Sequence, residues 1–188
     1  MRSVVLAVIG LVLTVGIVNA TVPDPDNCAV DPCDTIGGLI IYPDPVIPGF
    51  ASFTANVRNA DNDPIPDAFV EIIFGMPGDL YLECPDLVLT GTTDVNGNVT
   101  FDVSAGGCSV GANAAKIRAN GVDIRTYENV KSPDYAGVAD GNVDLDDFIP
   151  FGSAMGVTGG CTDYFNDGMT GLEEFIVFGE AWGRTCNP

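Results

Sequence analysis

The C-terminal part of the chain contains the stretch Asp140-Gly-Asn-Val-Asp-Leu-Asp-Asp-Phe-Ile-Pro-Phe-Gly-Ser-Ala-Met-Gly156 and, 27 residues later, Asp167-Gly-Met-Thr-Gly-Leu-Glu-Glu-Phe-Ile-Val-Phe-Gly-Glu-Ala-Trp-Gly183. Nine of the 17 aligned positions are identical, and two more keep an acidic side chain. A repeat at a fixed period indicates one supersecondary unit used twice, which pairs with its copy to bury an apolar face. In each copy apolar residues recur at intervals of three and four, which predicts a short helix ending at the last glycine. We expect these apolar faces to pack against each other.

An acidic loop precedes each predicted helix, and the second loop resembles the 12-residue calcium-binding formula. Its first, fifth, sixth and twelfth places are filled by Asp163, Asp167, Gly168 and Glu174. Met169, in seventh place, offers a backbone carbonyl. Ca2+ needs about six to eight oxygens, the glycine permits the sharp turn, and the last carboxylate can supply two oxygens. Phe165 and Gly171 occupy the third and ninth places, so two side-chain ligands are missing.

The first loop follows the same formula with a longer entry. Its fifth, sixth, ninth and twelfth places are filled by Asp140, Gly141, Asp144 and Asp147. Asn142 can offer its backbone carbonyl, and the candidate first ligand is Asp134, two residues further upstream than the formula expects. The loop must therefore bulge over Val138-Ala139. An acidic turn at a helix N-terminus without a metal is the alternative, but the duplication favours Ca2+, as one or two ions.

Two tandem loop-helix units with a Val/Thr-x-Leu-x-Asp/Glu-Phe core resemble a type I dockerin over residues 134–183. The resemblance implies two half EF-hands that bind calcium, and helices that dock onto a cohesin partner. The stretched first loop, Phe165 and the lack of a Ser/Thr recognition pair at equivalent helix positions depart from the family pattern.

Residues 38–130 have a different sequence pattern: they contain seven or eight short runs of apolar or alternating apolar and polar residues, separated by residues typical of turns. This spacing predicts an antiparallel β-sandwich, and Asp94-Val-Asn-Gly-Asn98 predicts a hairpin turn. The order Pro-x-x-Pro-Gly, Phe-Thr-Ala-Asn-Val, Pro-x-Ala-x-Val-Glu-Ile, Thr-Asp-x-Asn-Gly-x-Val-Thr-Phe is similar to bacterial Ig-like domains. That resemblance implies architecture rather than activity. The predicted fold is mostly β: an Ig-like sandwich followed by a small α module of two calcium loop-helix units at 131–188.

The N-terminus has the features of a secretory signal peptide at residues 1–20: a basic start, an apolar run and small residues before a cleavage site. The run is too short to act as a membrane anchor. We therefore expect a secreted or cell-surface protein that is not inserted in the membrane after signal removal. Residues 21–37, rich in Pro, Asp and Cys, are interpreted as an exposed leader.

The six cysteines, an even number in a chain predicted to be exported, indicate disulfides. Of fifteen connectivities, sequential pairing is our hypothesis: Cys28–Cys33, Cys84–Cys108 and Cys161–Cys186.

The formal net charge of −19 argues against nucleic acid as a partner, because phosphate binding depends on Lys and Arg. The absence of histidine excludes His-dependent triads and imidazole zinc sites. No carboxylate pair outside the loops has a spacing that points to a glycosidase active site, so we do not expect an enzyme.

Two functions fit these features. The first is a structural protein, a calcium-stabilised subunit of an extracellular fibre or surface assembly that binds copies of itself. The strand Gly38-Leu-Ile-Ile-Tyr42 could then complete a neighbour's sheet by strand addition, or it could pair within its own sheet. The alternative is a dockerin-type adaptor that binds a cohesin-like surface protein.

Overall fold

The structure is a computed structural model, and it describes residues 22–31, 38–44, 52–74, 80–81, 90–134 and 140–186. The predicted signal peptide and the predicted bulge at Val138-Ala139 lie outside these residues. The described elements, in chain order, are β1 (Ala29–Asp31), β2 (Gly38–Ile40), β3 (Ser52–Asn56), β4 (Phe69–Phe74), β5 (Leu80–Tyr81), β6 (Thr90–Thr92), β7 (Asn98–Asp102), β8 (Gly106–Ala119), β9 (Val122–Lys131), α1 (Leu145–Ala154) and α2 (Leu172–Ala181).

The strands form two sheets in a sandwich-like arrangement, so the chain is mostly β with two C-terminal helices. One sheet has the order β1-β3-β7, and the other has the order β2-β9-β8-β4-β6, with β5 pairing with β8. Side chains alternate between buried and exposed along β3 and β7, as expected for strands with one face on the core. Strand β1 lies within the predicted leader, yet it pairs with β3 and buries Val30.

Two strand pairings differ from the sequence predictions. Strand β2 pairs with β9 in parallel, with Gly38 opposite Asn129, whereas the prediction was an antiparallel sandwich. The turn at Asp94 closes with an N–H bond from Gly97 to the Asp94 carbonyl (2.9 Å). It connects β6 in one sheet to β7 in the other, so it is not the turn of a hairpin. Local turn chemistry is the same in both cases, which is why the sequence does not distinguish them.

The core between the sheets consists of aliphatic and aromatic side chains, and among its fully buried members are Phe53, Val70, Phe101, Ile117 and Tyr127. The rings of Phe53 and Tyr127 meet edge to face at 6.5 Å. Each such side chain stabilises the fold by about 1.5–3 kcal/mol relative to exposure. The sandwich therefore has its own hydrophobic core.

The long hairpin of β8 and β9 reaches from the sandwich to the helices. Its two-residue turn has positive φ at both Asn120 (45°) and Gly121 (85°), as a type I′ turn requires. At the other end Cys108 lies opposite Lys131. This end of the hairpin contacts the C-terminal module through the disulfide of Cys108 with Cys161 and the hydrogen bonds of Lys131.

The helices of the C-terminal module begin and end as the repeat predicts. Asp144 caps α1 by accepting the Asp146 N–H (2.9 Å), and Asp147 accepts the Asp144 N–H in return (2.9 Å), which is a capping box. The helices are followed by Gly156 and Gly183 at φ of 76° and 75°, a conformation that favours glycine. No helix in the described ranges is long and apolar enough to cross a membrane.

The disulfides differ from the predicted sequential pairing. Cys108 is bonded to Cys161, 53 residues away, so the predicted pairs Cys84–Cys108 and Cys161–Cys186 are wrong. Cys186 is disulfide-bonded as well. Cys28 is a free thiol, which contradicts the predicted Cys28–Cys33 pair. Its sulfur accepts the Arg58 N–H at 3.3 Å, and burial raises the pKa of the thiol. The pairing follows from the β8 register, which brings Cys108 to the helical module.

Candidate metal centre

Four carboxylates of the two loops are almost completely removed from solvent: Asp134, Asp147, Asp163 and Glu174 are 1%, 1%, 3% and 1% exposed. Carboxylates are almost never this buried unless they are paired, hydrogen-bonded or bound to a metal. These side chains belong to the first and twelfth places of the two candidate calcium loops.

In the second loop the carboxylate of Asp163 accepts hydrogen bonds from the backbone of the residues that follow it. Its two oxygens accept the N–H groups of Asp167 and Gly168, each at 3.1 Å. Asp167 in turn accepts the Met169 N–H at 3.0 Å. Gly168 has a φ of 99°, a conformation that side chains with a Cβ rarely adopt. The sharp turn predicted at the glycine is thus present.

Three carboxylates of this loop converge. One oxygen each from Asp163, Asp167 and Glu174 lies within 4.8 Å of the others. Glu174 accepts the Gly171 N–H with Oε2 at 2.8 Å, but its buried Oε1 has no hydrogen-bond partner. A buried polar atom without a partner is costly. The cluster offers only oxygen ligands, which suit a hard cation such as Ca2+, and the orphaned Oε1 fits a bound cation.

The first loop has equivalent hydrogen bonds. Asp134 accepts the N–H groups of Asp140 (3.2 Å) and Gly141 (3.1 Å). Asp140 accepts the Asn142 N–H at 3.0 Å, and Asp147 occupies the place of Glu174 beside the helix cap. Asp134 therefore takes the structural position of Asp163 although it lies two residues further upstream.

The carboxylates of the first loop are less tightly grouped. Within the described residues, only the second loop brings ligand atoms of three carboxylates within 4.8 Å of one another. Asp144 is exposed and serves as the cap of α1, so its side chain is directed to the helix N-terminus. The pKa of Asp134 is raised to about 7, mainly by burial and also by the negative charges of Asp147 and Asp140, while the N–H bonds from Gly141 and Asp140 act to lower it.

The two units pair through short backbone contacts that repeat the period of the sequence. The Thr170 N–H donates to the Val157 carbonyl (3.1 Å), and the Val143 N–H donates to the Arg184 carbonyl (2.9 Å). Residues 143 and 170 are separated by 27 positions, as are 157 and 184, so the two contacts are copies of one another. The segment that follows each helix is thus hydrogen-bonded to the loop of the other unit.

Packing between the helices buries only part of their apolar surface, which corrects the expectation of mutual packing. Phe151 and Phe178 are buried and stack at 4.7 Å. Val143, Val177 and Ala181 are buried beside them. Six other apolar residues of the two repeats stay at least 38% exposed, namely Leu145, Phe148, Ile149, Leu172, Phe175 and Ile176. Trp182 is 51% exposed and meets Phe148 edge to face at 6.1 Å. The helices are apolar on more than one face, a signal that could have predicted this.

An open groove of about 470 Å³ lies between the two helices, and its lining consists of Leu145, Phe148, Phe175, Phe178, Gly179 and Trp182. The lining has no charged side chain. The sequence pattern predicted that Leu145, Phe148, Phe175 and Phe178 pack between the two helices, and it did not predict the groove.

Comparison with known proteins gives weak likenesses. No protein-family model and no curated protein matches the chain. Among solved structures it is similar to an N-terminal interface mutant of a type II cohesin-X-dockerin complex from Acetivibrio cellulolyticus. The identity is 17% over 69% of this chain and 90% of that chain, with a TM-score of 0.26. A C-terminal interface mutant of that complex gives 16% identity over 79% and 95%, with a TM-score of 0.29. Scores this low establish no shared function.

Proposed function

We propose that this chain is an exported, non-enzymatic adaptor whose calcium-stabilised C-terminal module docks a partner protein through the apolar groove between α1 and α2. The observation that carries the proposal is the exposed aromatic groove between α1 and α2, together with the buried carboxylates of the two loops that precede these helices. The partner we propose is a cohesin-like surface protein.

Each loop has a defined set of residues that would hold the ion. In the second loop these are the carboxylates of Asp163, Asp167 and Glu174, with the Met169 carbonyl. In the first loop they are the carboxylates of Asp134, Asp140 and Asp147, with the Asn142 carbonyl. A bound calcium ion would neutralise carboxylates that otherwise repel one another in a poorly solvated site. The loops then fix the start of both helices, and so the shape of the groove.

The groove has the composition of a protein-binding surface. Aromatic residues are enriched at binding hot spots, where they fill pockets of the partner and exclude water. Contiguous exposed apolar surface on a soluble protein commonly marks such a site. Phe148, Phe175 and Trp182 are 38%, 43% and 51% exposed, so each can bury further area on binding.

Charge favours a different protein over a second copy as the occupant. Residues 140–186 contain nine carboxylates and one cation, Arg184, whose guanidinium pairs with Asp44 at 3.1 Å. Two copies facing each other through this groove would bring like charges together. A partner with an apolar centre and a basic rim would instead be attracted and oriented.

The fibre hypothesis has less support from the structure. The strand considered for addition to a neighbour is β2, and it pairs with β9 of its own chain. The adaptor alternative therefore ranks first.

The test is isothermal titration of the mature protein against purified cohesin domains, in calcium and in EDTA. We expect a one-to-one complex in calcium that weakens at least about tenfold, or 1.4 kcal/mol, in Trp182→Ala. Val95→Ala is the matched control, because Val95 is 78% exposed on a sandwich turn. Electron microscopy at matched concentrations separates the alternatives: ordered fibres in calcium would overturn the adaptor proposal in favour of self-assembly.

A further inference from the structure

The second loop is in contact with a buried cation of the sandwich. Lys131, at the end of β9, is 2% exposed. Its ammonium donates to the backbone carbonyl of Asp163 and to Oδ1 of Asn166, the latter at 2.6 Å. Both acceptors belong to the second loop, one in its first place and one in its fourth.

The sheet holds this segment by further bonds. Asn129, also on β9, donates from its side-chain amide to Oδ1 of Asn166 at 3.2 Å. Cys108, opposite Lys131 on β8, forms the disulfide with Cys161, two residues before Asp163. The sandwich thus fixes the entry of the second loop through a covalent bond, an ammonium and an amide.

The charges around the two loops are unequal. Burial lowers the pKa of the Lys131 ammonium, and the negative charges of Asp163 and Glu174, the first and last carboxylates of the second loop, oppose that shift. In the first loop the charged groups that act on Asp134 are Asp147 and Asp140, and both are negative. The other cations in the described residues have contacts elsewhere. Arg184 pairs with Asp44, and Lys116 and Arg118 pair with Asp123 on the sandwich. Arg58 donates to Asn56 and Asn62, and Arg125 lies over the ring of Tyr127.

We propose that Lys131 is a built-in counter-charge of the second loop, which keeps that loop folded without calcium, so that only the first loop depends on calcium for its structure. The proposal rests on the calcium binding proposed above. In it Lys131 is a positioning residue: it contacts the loop backbone and its fourth residue, and it does not enter the ligand set.

The experiment is amide hydrogen exchange on the full mature chain, in EDTA and in calcium. Matched probes exist in both loops, because the Gly168 and Gly171 amides donate to carboxylates of the second loop as Gly141 and Asp144 do in the first. In EDTA we expect the second-loop amides to be protected at least about tenfold more than the first-loop amides. Lys131→Met should remove this difference, and calcium should restore protection in both loops.

Two further variants keep the test decisive. Lys131→Arg retains the charge and should retain most of the protection, whereas a purely steric role would make it as damaging as Lys131→Met. Lys116→Met removes a lysine of the neighbouring strand and should leave both loops unchanged. If Lys131→Met does not fold in EDTA, it is prepared in calcium and exchange is followed after EDTA is added; the second loop should then open as fast as the first.

Equal protection of the two loops in wild-type protein in EDTA would overturn the proposal, as would unchanged second-loop protection in Lys131→Met. Failure of calcium to alter exchange in either loop would instead contradict the proposed calcium function. The EDTA comparison between wild type and Lys131→Met still decides the role of the lysine in that case, so the two failures are distinguishable.

Discussion

Asp134 and Asp163 hold their loops in the same way, although Asp134 lies two residues further from the residues that it binds. Asp163 accepts N–H bonds from the fourth and fifth residues after it, and Asp134 accepts them from the sixth and seventh. All four distances lie between 3.1 and 3.2 Å. The position of the carboxylate is therefore the same in both loops, although the segment between the carboxylate and the N–H groups is two residues longer in the first loop. A functional requirement for a carboxylate at this position would produce this pattern.

Calcium should stabilise the protein, and Asp167→Ala should remove much of the effect. A ligand that binds only the folded state at about 100 times its Kd adds about 2.7 kcal/mol, which corresponds to a rise in Tm of roughly 5–10 °C for a chain of this size. Differential scanning calorimetry in excess calcium and in EDTA measures the rise. Asp140→Ala should act likewise on the first loop, and Asp61→Ala, on an exposed sandwich turn, is the control. Identical Tm values in calcium and in EDTA would contradict the calcium hypothesis.

Glu174→Gln should separate metal binding from folding. The amide keeps the volume of the side chain and can still accept the Gly171 N–H, but it removes the charge carried by the unpartnered Oε1. We expect calcium affinity of the second loop to fall by at least about tenfold, while Tm in EDTA stays unchanged or rises. Calorimetric titration with calcium supplies the affinity. A variant that binds calcium as well as the wild type would show that Glu174 is a structural cap only.

The burial of Asp134 predicts a specific pH dependence in EDTA. Because its pKa is raised from 3.8 to about 7 in the folded state, the folded protein binds the proton more tightly than the unfolded chain. Stability should therefore fall as pH rises from about 4 to about 7, by roughly 4 kcal/mol at most. The free energy of unfolding, measured by urea denaturation across this pH range, tests the predicted fall. Asp134→Asn should flatten the slope, and a slope of equal size in the variant would contradict the assignment.

The sequence predicted those features that depend on local chemistry. The repeat predicted two short helices ended by Gly156 and Gly183, and alternation predicted the half-buried strands. It could not predict that Cys108 meets Cys161, because that contact depends on the register of β8 and β9 and on where the module sits against the sandwich. The parallel pairing of β2 and the burial of Lys131 beside Asp163 are equally nonlocal. The open groove was missed because periodicity identifies an apolar face without showing whether it is covered.

Two aromatic residues of the module should respond to truncation in opposite ways. Phe178 is 2% exposed and stacks on Phe151, so Phe178→Ala should cost about 3–5 kcal/mol of stability. Trp182 is half-exposed, so Trp182→Ala should cost less than about 1 kcal/mol while it weakens partner binding. Urea denaturation in calcium supplies the stabilities. A loss of several kcal/mol in Trp182→Ala would assign that ring to the fold and not to an interface.

The Cys108–Cys161 disulfide should stabilise the chain as a whole, because it joins the sandwich to the second loop. Closing a loop of 53 residues is worth about 4 kcal/mol in the chain-entropy model. The double variant Cys108→Ser/Cys161→Ser should therefore lower Tm by roughly 8–16 °C. It should weaken calcium binding at the second loop more than at the first, because the disulfide joins β8 to the second loop, whereas the first loop is joined to β8 by the hydrogen bond from the Gly107 N–H to the Asp134 carbonyl (2.6 Å). Cys28→Ser, which removes the free thiol, is the matched control. A double variant whose second loop binds calcium with unchanged affinity would show that Lys131 and Asn129 suffice to hold that loop on the sandwich.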